Sequence, residues 1–430
     1  MTDITAYKQK AMFKTLNLKN FRTHKDSTIN CSDLTLLIGS NNAGKSNFFN
    51  GLNFFSKLIN YYNPSRDNAK NPLRKTHYYP HKHSLSKDGD PISFYCVWEI
   101  EDISIEYYIS LSPDDADFNA ILGKERLKVI KQGIAVSQYE SGYDKKSYTL
   151  ELRNTLRKIF PDYNSQISAF FREVSSFCYF NLQPSFLKGE GIPISDIDTN
   201  GKVFPAKEYI KNFREMDMYP YIPNELGKEG GNLQEILMFI KECDEESYNR
   251  FFGYLKRFVK NFNGLILKDN GLKWQFDMGG SNFPFYEPEK ISDGIVKAAA
   301  VALLCSIRRP PALIMIEEVE NGINQKKLSE FLSWLTSASD EGKKTQFLLS
   351  SHSPSVIREF SYNLDVVYNI HLREKDFVSR LTNLNEALKP LVNMGAIKEV
   401  GTIQKDGVEI IQIRPYDLVE LFYNGVLGEL

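Results

Sequence analysis

The stretch Gly39-Ser40-Asn41-Asn42-Ala43-Gly44-Lys45-Ser46 constrains this chain more than any other, because it fits G-x-x-x-x-G-K-[ST] and joins two segments of different period. Ahead of it, LTLLIGS from Leu34 to Ser40 is almost wholly apolar, as a strand buried on both faces would be. Behind it, NFFNGLNFFSKLINYY from Asn47 to Tyr62 keeps bulky apolar groups at helical spacing. Phosphate chemistry needs this strand, loop and helix order. Glycines let backbone N–H groups turn inward around phosphate oxygens, and a helix N-terminus adds partial positive charge. Lys45 then reaches the β- and γ-phosphates, and the Ser46 hydroxyl can ligate Mg²⁺. With Asn47, the residues Gly39 to Ser46 form the expected nucleotide-binding set.

Three later segments can serve the same chemistry. Ala312 to Ile316 is an apolar strand ending in Glu317 and Glu318, which puts two carboxylates at the C-terminal edge of a parallel sheet, where ligands bind. Glu317 would hold the Mg²⁺ shell while Glu318 orients and polarises the attacking water; acids in this position can also simply open a loop or cap a helix. Phe347-Leu348-Leu349-Ser350-Ser351-His352 is another strand delivering polar groups to an edge, and His352 there can donate to the γ-phosphate or the lytic water, although a lone histidine can equally be structural. Ser292-Asp293-Gly294 opens an alanine-rich helix with Ser292 or Asp293 as N-cap, and its exposed N–H groups suit the γ-phosphate of a neighbouring molecule.

Elsewhere, residues 13–23 read as a strand, and 92–111 as a hairpin turning near Glu101 and Asp102. Helical spacing runs from about 147 to 177 and from 233 to 262, with a break near Asp244, and a second hairpin is expected around Asn270 and Gly271. The last portion alternates helix 293–307, strand 312–316, helix 325–337, strand 346–350 and helix 354–360, which predicts an α/β sheet with parallel strands. Residues 63–90 and 185–232 lack periodicity and read as loop. The expected division is an N-terminal ATPase part over 1–120, a mainly helical insertion over 121–265 and a C-terminal ATPase part over 266–430.

A net charge of −1 argues that any nucleic-acid contact comes from a local patch or a partner. The five cysteines are scattered singly, without metal-ligand spacing. No run approaches the roughly 18 apolar residues of a membrane span and the N-terminus shows no secretory signal, so a cytoplasmic protein without membrane contact is expected. The stretch 73–83 gathers His77, His81 and His83 among basic and aromatic residues; it can touch nucleic acid or an effector, or be a solvated loop.

In this order, the segments resemble the RecF, SMC and OLD branch of the ABC ATPases, in particular stand-alone OLD-like ATPases of bacterial defence systems. LNLKNFRTHKD resembles that branch's first strand, GSNNAGKSN its Walker A, ISDG its signature, IMIEEVENGIN its Walker B and D-loop, and LLSSHSP its histidine switch. The resemblance implies an α/β ABC-type P-loop NTPase fold with a mixed sheet, an antiparallel β-subdomain and a mainly helical insertion. It implies ATP and Mg²⁺ as ligands, and two protomers sandwiching two ATP molecules, with Ser292, Asp293 and Gly294 acting across the interface. It further implies catalytic roles for Lys45, Glu318 and His352, D-loop signalling through Glu320 and Asn321, and a Q-loop contact to Mg²⁺ from Gln183 beside Ser46 and Glu317. Two departures bear on turnover: Glu317 stands where many relatives have aspartate, and Val319 where proline is common.

The sequence ends at VELFYNGVLGEL, without the length of a following Toprim nuclease, so cleavage is expected to come from a partner. The leading expectation is an ATPase whose ATP-dependent homodimer or higher homo-oligomer controls a separate effector, a nuclease or toxin, in anti-phage defence. The alternatives are a RecF-like DNA-repair ATPase, with nucleic acid as direct partner, and a nucleotide-gated scaffold with little turnover.

Overall fold

The computed structural model describes residues 11–61, 81–83, 90–113, 120–142, 159–189, 226–268, 271–281, 283–308, 310–340, 345–373, 375–397, 400–405, 407–424 and 426. Two compact units emerge, residues 1–177 with 357–430, and residues 178–356. The strands are β1 Met12–Phe21, β2 His24–Asn30, β3 Leu34–Ile38, β4 Ile92–Ile100, β5 Ile103–Pro113, β6 Ala120–Lys131, β7 Ile134–Gly142, β8 Cys178–Phe180, β9 Phe262–Lys268, β10 Gly271–Phe276, β11 Phe285–Tyr286, β12 Leu313–Ile316, β13 Gln346–Ser351, β14 Val367–Arg373, β15 Val378–Asn383, β16 Gly401–Lys405 and β17 Val408–Gln412.

In the first unit, β2-β1-β4-β5-β6-β7 form an antiparallel sheet. Its turns explain its register. Ile100 faces Ile103 across Glu101 and Asp102, and Lys131 faces Ile134 across Gln132 and Gly133; Glu101, Gln132 and Gly133 all take positive φ, as tight hairpins of matching twist require. The apolar face carries Phe13, Trp98 and Tyr107, which meet Phe170 of helix Asn164–Ser175, and Phe13 also meets Phe177 just beyond that helix. Helix Lys45–Tyr61 joins this aromatic core through Phe55, which stacks on Phe94 with ring centroids 5.4 Å apart. Within the range 121–265 expected to be a mainly helical insertion, β6 and β7 are strands. A buried glutamate hides their period: Glu125 faces inward and accepts the Tyr107 hydroxyl, where an alternating strand would carry an apolar residue.

The same unit holds a mixed set, with β3 parallel to β14 and β14 antiparallel to β15. In the second unit β8, β12 and β13 run parallel, and β9, β10 and β11 form a small antiparallel sheet. Helices Leu233–Cys243 and Glu245–Phe258 break at Asp244, whose carboxylate caps the second by accepting from Ser247 N, 3.2 Å away. The helix Asp293–Ser306 is buried at every position from Val296 to Ser306, as an alanine-rich helix that is apolar all round must be. No helix among the described residues is long and apolar enough to cross a membrane. The fold is α/β and of the ABC-type P-loop NTPase class, with mixed and antiparallel sheets.

Candidate functional site

The phosphate loop belongs to the first unit. β3 ends at Ile38, and Gly39, Asn42 and Gly44 take φ of 150°, 68° and 113° before helix Lys45–Tyr61 begins. The two glycines are required by space as well as by torsion. A Cβ at Gly39 would lie 2.1 Å from the Ile370 carbonyl oxygen, and one at Gly44 would lie 2.2 Å from Ser379 Oγ. Lys45 is 8% exposed, and its ammonium donates to the carbonyls of Gly39 at 2.7 Å and Ser40 at 2.9 Å, so its charge is held over the loop concavity. Ser40, Asn41, Asn42 and Ser46 are exposed, while Ala43 is buried and Asn47 is half-buried. A glycine-bearing loop before a helix N-terminus, closed by a buried ammonium, fits a triphosphate, and the exposed Ser46 hydroxyl at the helix start fits a magnesium ligand.

Support for the loop comes from residues that the sequence pattern does not single out. Ser379 Oγ lies 2.7 Å from the Ala43 carbonyl oxygen and 2.8 Å from Thr23 Oγ1. Asn47 Nδ2 donates to Thr23 Oγ1 at 3.1 Å, and Arg22 donates to Asn47 Oδ1 at 3.2 Å. His24, fully buried, sets Nε2 2.9 Å from the Gly44 carbonyl and Nδ1 2.8 Å from Ser27 Oγ. The carbonyl fixes the neutral tautomer with its proton on Nε2.

Burial lowers the His24 pKa from its ordinary 6.5 to about 4; the Gly44 hydrogen bond raises it and His83 lowers it further. Above the unfolded value His24 is neutral in both states. As pH falls below it, the unfolded chain takes up a proton that the folded chain refuses until about pH 4, so stability is lost on acidification, by about 3 kcal/mol at most. Comparing unfolding midpoints at pH 7 and pH 5 checks this: wild type should lose more stability than His24→Gln, and equal losses would refute it.

Of the stretch 73–83, His81 to His83 are described. Arg22 N donates to the His81 carbonyl at 2.7 Å, His83 N to the Asn20 carbonyl at 2.9 Å, and the His81 ring stacks on Phe21. His77 and the remainder lie outside the described residues, as do most of 63–90 and 185–232.

The second unit gathers the acids. β12 is followed directly by Glu317, which is 7% exposed and whose Oε2 accepts the Tyr179 hydroxyl of β8 at 2.7 Å. Glu318 takes φ of 43°, a left-handed backbone that costs a non-glycine residue on the order of 1–3 kcal/mol. Three main-chain contacts hold it there: its N–H donates to Ser350 Oγ at 3.3 Å, and its carbonyl accepts Lys297 Nζ at 2.6 Å and Asn321 N at 2.9 Å. The side chain is left part-exposed, with Asn321 Nδ2 3.5 Å from its Oε2. His352 Nδ1 lies 3.9 Å from Glu318 Oε1 and 3.7 Å from Glu320 Oε1, and Glu320 also accepts Ser351 Oγ at 2.8 Å. Glu317, Glu318, Glu320, Asn321 and His352 are thus brought together at the ends of β12 and β13.

Lys297 and Tyr179 are further members that spacing does not reveal, although a single lysine inside the apolar run IVKAAAVALLC is a visible signal. Lys297 is 1% exposed, and burial lowers its pKa to about 8 against the pull of Glu320 and Glu318. Ser292 is the N-cap of the buried helix, but its side chain makes no capping bond. Asp293 is exposed and pairs with Lys188 at 2.6 Å. Gly294 is needed because a Cβ there would meet the Gly322 carbonyl oxygen at 2.5 Å. Gln183 N-caps the helix Pro184–Leu187 and donates to Asn181 Oδ1 at 2.7 Å.

Residues 12–183 match the family model described as "AAA ATPase domain", and residues 195–358 match that described as "AAA domain, putative AbiEii toxin, Type IV TA system". No curated protein matches the chain in sequence. Solved structures similar to it include an SmcHead bound to the C-winged helix domain of ScpA, 15% identical over 88% of this chain and 99% of that one, with a TM-score of 0.44. The SMC head domain from Thermotoga maritima is 13% identical over 86% of this chain and 98% of that one, with a TM-score of 0.38. A glycine-cradled phosphate loop and two AAA-domain family matches on successive parts of the sequence lead to one conclusion: the chain is a nucleotide-binding ATPase.

Proposed function

We propose that the chain hydrolyses ATP at sites completed by pairing of two copies, and that this assembly controls a separate effector protein in bacterial anti-phage defence. In this reading Lys45 and the Gly39–Asn47 loop bind the triphosphate. Glu318 polarises the attacking water, and His352 donates to the γ-phosphate or to that water. Ser46 and Glu317, with Gln183, hold Mg²⁺, which when bound neutralises charge on the phosphates. Ser292, Asp293 and Gly294 of one copy close over the nucleotide of the other, and Glu320 and Asn321 carry the signal between them.

The observation that carries the proposal is the Ser292 hydroxyl, which makes no capping bond at the exposed start of a helix buried from Val296 to Ser306. A helix N-terminus whose cap side chain makes no capping bond suits an anion brought by a second molecule. The defence role is favoured by the family description on residues 195–358, which names a toxin of a toxin–antitoxin system. We place the protein in the cytoplasm, with a nuclease or toxin as effector.

The test is the mass of the purified protein in solution with and without ATP. The expected result is at least a doubling of mass on adding ATP; a mass that does not respond to nucleotide would remove the pairing from the proposal.

A further inference from the structure

Two contacts tie the first turn of the helix Asp293–Ser306 to the loop that follows β12. At Gly294 the helix backbone comes so close to the Gly322 carbonyl that no side chain fits between them. One turn of helix later, Lys297 reaches the Glu318 carbonyl at 2.6 Å. A lysine this deeply buried needs a compensating partner, and its partner here is the main chain of a residue in a strained conformation. The neighbouring Glu320 adds a carboxylate whose Oε2 is buried without a hydrogen-bond partner, and both Glu320 and Glu318 attract the ammonium.

We propose that Lys297 is a positioning residue for ATP hydrolysis, holding the Glu318 backbone in its left-handed turn and linking it to the helix that begins at Ser292. This rests on the roles proposed above for Glu318 and Ser292, and goes beyond them. Lys297 acts through the Glu318 main chain and so sets where the Glu318 carboxylate stands. Because the same helix begins with Ser292 to Gly294, closure of that start on a second copy's nucleotide is transmitted one turn along, through Lys297, to the copy's own water-activating glutamate. Hydrolysis then answers to pairing, with the signature segment and the general base moving as one body.

The experiment compares Lys297→Met, of similar length but with no donor, with Lys297→Arg, which keeps charge and donors. Steady-state ATP turnover and nucleotide-binding stoichiometry are measured on both. A misplaced base costs kcat and spares binding, so Lys297→Met should lose at least about tenfold in kcat with KM for ATP within about threefold. Lys297→Arg should keep kcat within about threefold of wild type. A merely structural lysine would instead lower kcat only in proportion to the fraction of protein that still binds ATP, and that result, or an unchanged kcat in Lys297→Met, overturns the proposal. If Lys297→Met does not fold, Lys297→Arg decides alone: a larger loss than threefold in folded protein rejects the donor role. Glu318→Gln is run alongside. If it turns over normally, the assignment of Glu318 fails first; if it is inactive while Lys297→Met is fully active, only the positioning role fails.

Discussion

Lys45→Ala is expected to lower ATP turnover on the order of 10²–10³-fold, the range for removing one preorganised electrostatic stabiliser from a phosphoryl-transfer site. The expectation follows from where the ammonium sits. It is buried and held by the carbonyls of Gly39 and Ser40, so it meets a triphosphate already desolvated and already aimed. An alanine at the first position of helix Lys45–Tyr61 costs the helix nothing in propensity, and Gly39 and Gly44 keep their close contacts with Ile370 and Ser379. The loop should therefore remain while its charge is gone, and ATP affinity should fall together with kcat. Phosphate release and titration with a fluorescent ATP analogue measure the two separately. Undiminished release by folded Lys45→Ala would end the assignment of this loop as the phosphate site.

How much of this was legible in the residues depended on whether the chemistry lay in one stretch or was assembled from several. The strand, loop and helix around Gly39 to Ser46 are readable because one local pattern carries both period and composition. The hairpin turning at Glu101 and Asp102 and the helix break at Asp244 are readable for the same reason. His24, Thr23 and Ser379 support the phosphate loop from positions remote in sequence, and no spacing rule connects a histidine to the carbonyl it will meet at Gly44. β2 is polar, HKDSTIN, and so leaves no apolar period to find. β6 was hidden by Glu125, a carboxyl group at an inward position that accepts the Tyr107 hydroxyl across the sheet. Lys297 breaks an apolar run in the same way, and in both places the residue that spoils the pattern is one held by a specific partner.

Glu318→Gln should separate binding from chemistry, with turnover lower by about 10²–10⁴-fold, as for loss of a general base, and ATP affinity changed little. Glutamine keeps the size of glutamate and an amide oxygen within reach of Asn321 Nδ2, but it cannot polarise water by accepting a proton. The strained turn should survive the change. All three short contacts at this position, from Ser350, Lys297 and Asn321, are made to main-chain atoms that the substitution leaves untouched. The variant thus removes a carboxylate while preserving the geometry that presents it. His352 is the competing candidate, with Nδ1 3.9 Å from the same carboxylate. Were the imidazole the group that activates water, Glu318→Gln would lose only the orienting charge beside it, and most of the turnover would persist. A loss below tenfold with intact ATP binding would therefore move the general base from Glu318 to His352, leaving the carboxylate to orient the ring.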